Sequence, residues 1–69
     1  MPRFFVDSLP EGGLYHLEGE AGRHGAKVLR LRPGESVTLC DGAGTDCLCT
    51  VAENAGDSLW LTAGDSVPS

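Results

Sequence analysis

Apolar residues in this chain come in short runs separated by glycine, proline, aspartate and asparagine. Arg3-Phe4-Phe5-Val6 has the aromatic and β-branched composition of a first strand. A loop of turn formers, Asp7-Ser8-Leu9-Pro10-Glu11-Gly12-Gly13, follows it. Leu14-Tyr15-His16-Leu17 reads as a second strand with weak alternation. Ser36-Val37-Thr38-Leu39-Cys40 alternates cleanly and puts Val37 and Leu39 on one face. Asp41-Gly42-Ala43-Gly44 predicts a turn and Asp46 to Ala52 a strand, so these segments form a hairpin. Along that strand Cys47, Cys49 and Val51 share a face. Asn54-Ala55-Gly56-Asp57 marks a second turn. Ser58-Leu59-Trp60-Leu61-Thr62 is the last strand, with Leu59 and Leu61 on one side and Trp60 on the other.

One stretch, roughly residues 20–30, reads as a helix instead. At 100° per residue, Arg23, Lys27 and Arg30 fall in a stripe roughly 60° wide, with Ala21, Gly25, Val28 and Leu29 opposite. Glu20 sits at the positive end of the helix dipole and the cations lie further along, as the dipole favours. Pro33 disfavours the α conformation at Arg32, so the helix ends by about Leu31, and Pro33-Gly34 turns the chain. Gly22 and Gly25 each cost up to about 1 kcal/mol against alanine in a helix interior. A helix this short does not stand alone. Packing must hold it, with the glycines admitting a strand at close range. The sum is a mainly β domain: a small, partly closed barrel of about five short strands with one short helix. The polar tail from Gly64 to Ser69 reads as a linker, leaving residues 1–63 as the domain.

Sixty-nine residues make one small domain with a marginal core. No apolar run approaches the ~18 residues of a membrane helix. The N-terminus lacks the pattern of a secretory signal, which makes the cytoplasm the expected location. Cys40, Cys47 and Cys49 are an odd set, which argues against a disulfide framework. Their spacing matches none of the common zinc patterns, so buried thiols acting as small hydrophobes are expected, with no metal.

Charge changes the picture most. The formal net charge is −5, yet four of the five Lys/Arg residues lie between Arg23 and Arg32, with no acid among them. Cations spaced along a helix face suit successive phosphates. An ordinary solvated helix face is the bland alternative. The acidic remainder discourages indiscriminate polyanion binding and favours one structured target. Arg32, beyond the helix, reaches the same target from another angle, and Arg3 either extends the surface or is simply solvated. His24 falls at the border of the two faces, where capping or packing is expected rather than base catalysis. No carboxylate or nucleophile is spaced to partner it, so no catalytic residue is assigned. Asp41-Gly42-Ala43-Gly44 lacks the following Lys-Ser/Thr of a phosphate-cradling loop. Trp60 either stacks on a base, docks another domain or is buried against protein, the last being preferred.

Three pieces occur in an informative order and spacing: Arg3-Phe4-Phe5-Val6; His24-x-x-x-Val28-Leu29-Arg30 followed by Leu31-Arg32-Pro33-Gly34; and Asp41-Gly42-Ala43-Gly44. Together they resemble the N-terminal domain of the 16S ribosomal RNA uracil-N3 methyltransferases, the RsmE family, from Arg3 to about Thr62. The resemblance implies a PUA-like β-barrel that engages 16S ribosomal RNA of the small subunit. It further implies a C-terminal SPOUT domain, absent from this chain, that binds S-adenosylmethionine and carries the chemistry, usually as a homodimer. On that reading this chain is non-catalytic, holds no cofactor, and meets RNA through Arg3, Arg23, Lys27, Arg30 and Arg32. The competing reading is a small barrel that binds other proteins through Trp60 and its strand edges.

Overall fold

A computed structural model of the chain describes residues 2–68. Five strands, β1 (Arg3–Phe5), β2 (Leu14–Leu17), β3 (Ser36–Cys40), β4 (Thr45–Asn54) and β5 (Leu59–Pro68), form one sheet in the order β1-β3-β4-β5-β2. β1 runs parallel to β3, and the other neighbours are antiparallel. Both edges therefore come from the N-terminal part of the chain, and the sheet curls into a half-barrel. The mainly β expectation with one short helix holds.

The helical segment sits between β2 and β3 in sequence. It consists of α1 (Gly19–Arg23) and a π-helical turn, His24–Val28, that continues it. It packs on residues from both sides of the opening. A Cβ at Gly22 would overlap the Leu17 carbonyl, and one at Gly25 would press on Leu59 and Phe4. The two glycines thus let a backbone lie directly on β2 and against side chains of β1 and β5, the close approach their cost anticipates.

Val37, Leu39, Cys47, Cys49, Val51, Leu59 and Leu61 fill the core, joined by Phe4, Leu17, Ala26 and Leu31. The alternation read from the sequence assigned the inward faces of β3, β4 and the first half of β5 correctly. Cys40, Cys47 and Cys49 are buried free thiols. Burial is the main cause that raises the Cys40 thiol and pushes Cys49 up to about 11, so both stay protonated at neutral pH. Among the described residues no helix is long and apolar enough to cross a membrane.

Two expectations need correction. The segment from Gly64 to Pro68 is not a linker but the second half of β5, paired with the start of β4 through Cys47↔Ser66, Asp46↔Val67 and Thr45↔Pro68. Backbone pairing rather than apolar burial holds it, so this mostly exposed run of Gly, Asp, Ser, Val and Pro carries no strand signal. Register shifts between Cys47 and Cys49 and between Val51 and Glu53 bend the long β4–β5 ribbon. The second correction concerns the helix. Val28 and Leu29 were expected on its packing face, but they are exposed, and Ala26 and Leu31 are buried instead. The wider π turn rotates the later residues away from the α-helical pattern, which inserts Ala26 and swings Val28 outward.

Candidate nucleic-acid interface

The end of the helical segment is built by an unusual closure. Leu29 N–H donates to His24 O at 2.9 Å, five residues back. Arg30 then takes a left-handed conformation, φ 52°, the position where helices usually carry glycine. Leu31 N–H returns to Gly25 O at 3.1 Å, six residues back rather than the five of a Schellman ending. Ala26 O, the acceptor that ending would use, is taken by the side-chain amide of Asn54 at 3.1 Å. The same amide also donates to Leu31 O at 2.9 Å. A β4 residue thereby fixes the helix end and aims Leu31 into the core. Beyond it, the Arg32–Glu35 turn is closed by Glu35 N–H to Arg32 O and by Arg32 N–H to the Glu35 carboxylate at 2.6 Å.

The cations are consequently displayed in a different way from a continuous stripe. Arg23 ends α1 and Lys27 lies in the π turn, both exposed. Arg30 is outside the helix, on the strained link, and Arg32 is in the following turn; both are exposed as well. Among the described residues, none of these four forms an ion pair with a carboxylate. Arg3 differs. Its guanidinium meets the buried Asp46 carboxylate at 3.1 Å while its side chain stays about half exposed, at 55%.

Arg3 and Arg23 come together across a cleft of about 580 Å³ between β1 and α1, also lined by Phe4, Phe5, Glu20, Ala21 and His24. His24, expected to cap or pack, is an exposed wall of this cleft. A second cleft, about 280 Å³, lies on the other side of Phe5 and Ala21, with Asp7, Tyr15, His16 and Glu18 in its wall. Lys27, Arg30 and Arg32 line neither.

Trp60 is packed against protein, as preferred above. Its ring stacks on His16, with centroids 4.1 Å apart and planes 6° from parallel. His16 Nε2 in turn lies 2.9 Å from Ser58 Oγ. One face of the indole is therefore occupied, which weakens the protein-binding alternative that relied on it. Among the described residues no group of three potential metal ligands gathers.

Sequence reasoning missed Asn54, His16 and Phe5. The first two act through partners remote in sequence and carry no local signal. Phe5 was legible: adjacent strand residues face opposite ways, so one of Phe4 and Phe5 had to point outward.

A curled five-stranded sheet with a short helix at its opening defines a class, the small PUA-like β-barrel domain. The chain belongs to the RNA methyltransferase PUA domain family, whose model matches residues 17–63. It is similar to the ribosomal RNA small subunit methyltransferase E of Mycobacterium bovis and of Mycobacterium tuberculosis, 46% identical to each over 54 residues. That match covers 77% of this chain and 20% of each relative, so the chain spans about a fifth of their length. A ribosomal RNA small subunit methyltransferase E from Neisseria gonorrhoeae, solved bound to S-adenosyl methionine, superposes with a TM-score of 0.83 at 26% identity. It covers 97% of this chain and 28% of that one. A putative methyltransferase from Legionella pneumophila shares the fold at TM-score 0.88 and 24% identity, over 96% of this chain and 28% of that one.

Proposed function

We propose that this chain is the RNA-binding part of an S-adenosylmethionine-dependent methyltransferase of 16S ribosomal RNA. It holds a folded segment of the small-subunit RNA so that a separate SPOUT domain, in a cytoplasmic homodimer, methylates a uracil at N3. The observation that carries this reading is the set Arg23, Lys27, Arg30 and Arg32, exposed and with side chains that form no ion pair among the described residues, in a chain of net charge −5. Family membership and the relatives' names support ribosomal RNA as the substrate class and methyl transfer as the reaction class.

The chain itself is non-catalytic on this reading. The methyl donor is accordingly assigned to the other domain.

The test is a titration of the chain with a small-subunit rRNA fragment at increasing salt. Each phosphate neutralised contributes about −0.7 to −0.9 to the slope of log K against log salt. Steep weakening supports the proposal, and no binding at low salt overturns it in favour of a protein-binding module.

A further inference from the structure

Phe5 is 71% exposed on an edge strand, while its neighbour Phe4 is buried. A large apolar side chain in that position normally finds cover or is replaced by a charge. Phe5 and Ala21 line both clefts, and so form the saddle between them. The two sides differ in charge. Arg3 and Arg23 wall one, against Glu20; Asp7 and Glu18 wall the other, beside Tyr15 and His16.

Resting on the RNA-binding reading, we propose that this groove is a subsite for one unstacked nucleotide, its base lying on the Phe5 ring and its phosphate on the Arg3–Arg23 side. An aromatic face accepts any base, because every base presents a π surface. The carboxylates of Asp7 and Glu18 repel phosphate, so the sugar–phosphate backbone keeps to the cationic cleft and only the base crosses the saddle. There the carboxylates accept hydrogen bonds from base N–H groups, and the Tyr15 hydroxyl, its pKa raised first by burial and then by Asp7, remains a donor. Asp46 does not disable Arg3. A guanidinium has five N–H donors, and the contact with Asp46 Oδ2 engages one nitrogen, holding the half-exposed group at the cleft wall.

The experiment compares wild type, F5A, F5L, F5Y and R23A by fluorescence anisotropy. The ligands are a short single-stranded oligoribonucleotide of mixed sequence and the same strand carrying abasic positions. Phe5→Ala and Phe5→Leu should weaken binding of the intact strand roughly tenfold, with the salt slope unchanged, whereas Phe5→Tyr retains it. Abasic positions should cost the wild type a similar factor and cost F5A nothing more, the coupling expected if base and ring meet. Arg23→Ala should instead flatten the salt slope by about 0.7. Circular dichroism checks that each variant folds, which an exposed side chain should permit. If F5A binds as wild type while R23A weakens, the subsite is wrong and the RNA-binding reading stands. If the wild type binds neither this strand nor the rRNA fragment, both fall together.

Discussion

The side-chain amide of Asn54 donates to the main-chain carbonyl of Ala26 at 3.1 Å, tying the end of β4 to a helix turn 28 residues earlier. Its second N–H reaches Leu31 O at 2.9 Å, and its Oδ1 accepts from Gly56 N–H at 2.8 Å. One side chain thus closes the helix end, sets the path of Leu31 and shapes the turn into β5. Asn54→Asp keeps the acceptor for Gly56 but removes both donors and turns a carboxylate toward two carbonyls. Loss of these bonds should cost about 1–3 kcal/mol in urea unfolding, with Asn54→Asp worse than Asn54→Ala. Equal stability of N54D and wild type would show that the amide is not holding the helix.

Arg30 stands where a glycine would be relaxed. A non-glycine residue in the left-handed region costs on the order of 1–3 kcal/mol, and such strain gathers at functional positions. Relief of that strain in Arg30→Gly opposes the added entropy of the unfolded chain. The variant should be at least as stable as wild type and more stable than Arg30→Ala, which keeps the strain. On the proposed function it should also bind the rRNA fragment more weakly, with a salt slope flatter by about 0.7. Stability and binding moving in opposite directions is the signature to look for. A destabilised R30G would remove the argument that a cation is retained there against the backbone's preference.

The two helix glycines should separate in a stability series. At Gly22 a methyl group overlaps the Leu17 carbonyl, and that backbone is fixed by β2–β5 pairing. At Gly25 it meets Leu59 Cδ1 at 2.7 Å and Phe4 Cζ at 3.2 Å, ends of side chains that can rotate. Gly22→Ala should therefore cost about 2–3 kcal/mol or more, and Gly25→Ala distinctly less, measured by thermal or urea unfolding. An unchanged melting temperature for G22A would mean that the helix does not lie on β2 as described.

The strands were legible because burial and alternation coincide: Val37 and Leu39, Cys47, Cys49 and Val51, Leu59 and Leu61 all announce their inner face. The second half of β5 was not, since its residues pair through the backbone, lie mostly exposed and show no alternation of apolar and polar side chains. The cation-bearing segment was found from charge alone, but its geometry was not. Nothing local in His24-Gly25-Ala26-Lys27-Val28 specifies a π turn over an α turn. That choice depends on Asn54 taking the Ala26 carbonyl and on Leu31 filling the core, contacts made with distant parts of the chain. Arg3 was counted among the free cations because its partner, Asp46, lies 43 residues away.

The thiols make the last prediction, and its sign follows from their burial. Cys49 is pushed from its ordinary 9.0 to about 11, chiefly by desolvation and then by the neighbouring Cys47, whose Sγ lies 3.7 Å away. Cys40 and Tyr15 are displaced in the same direction, again with burial as the leading cause. Below about pH 9 these groups are protonated in both states and contribute no pH dependence. Between about 9 and 11 the unfolded chain gives up the Cys49 proton while the folded chain keeps it, so the unfolded state gains and stability falls as pH rises. Urea midpoints should therefore be flat up to about pH 9 and decline above it, and Cys49→Ala, less stable at neutral pH, should show a shallower decline. Native protein should react with a thiol reagent only as fast as it opens, and unfolded protein at once. Rapid native labelling, or midpoints that hold level across that alkaline range, would place these sulfurs in water rather than inside the half-barrel.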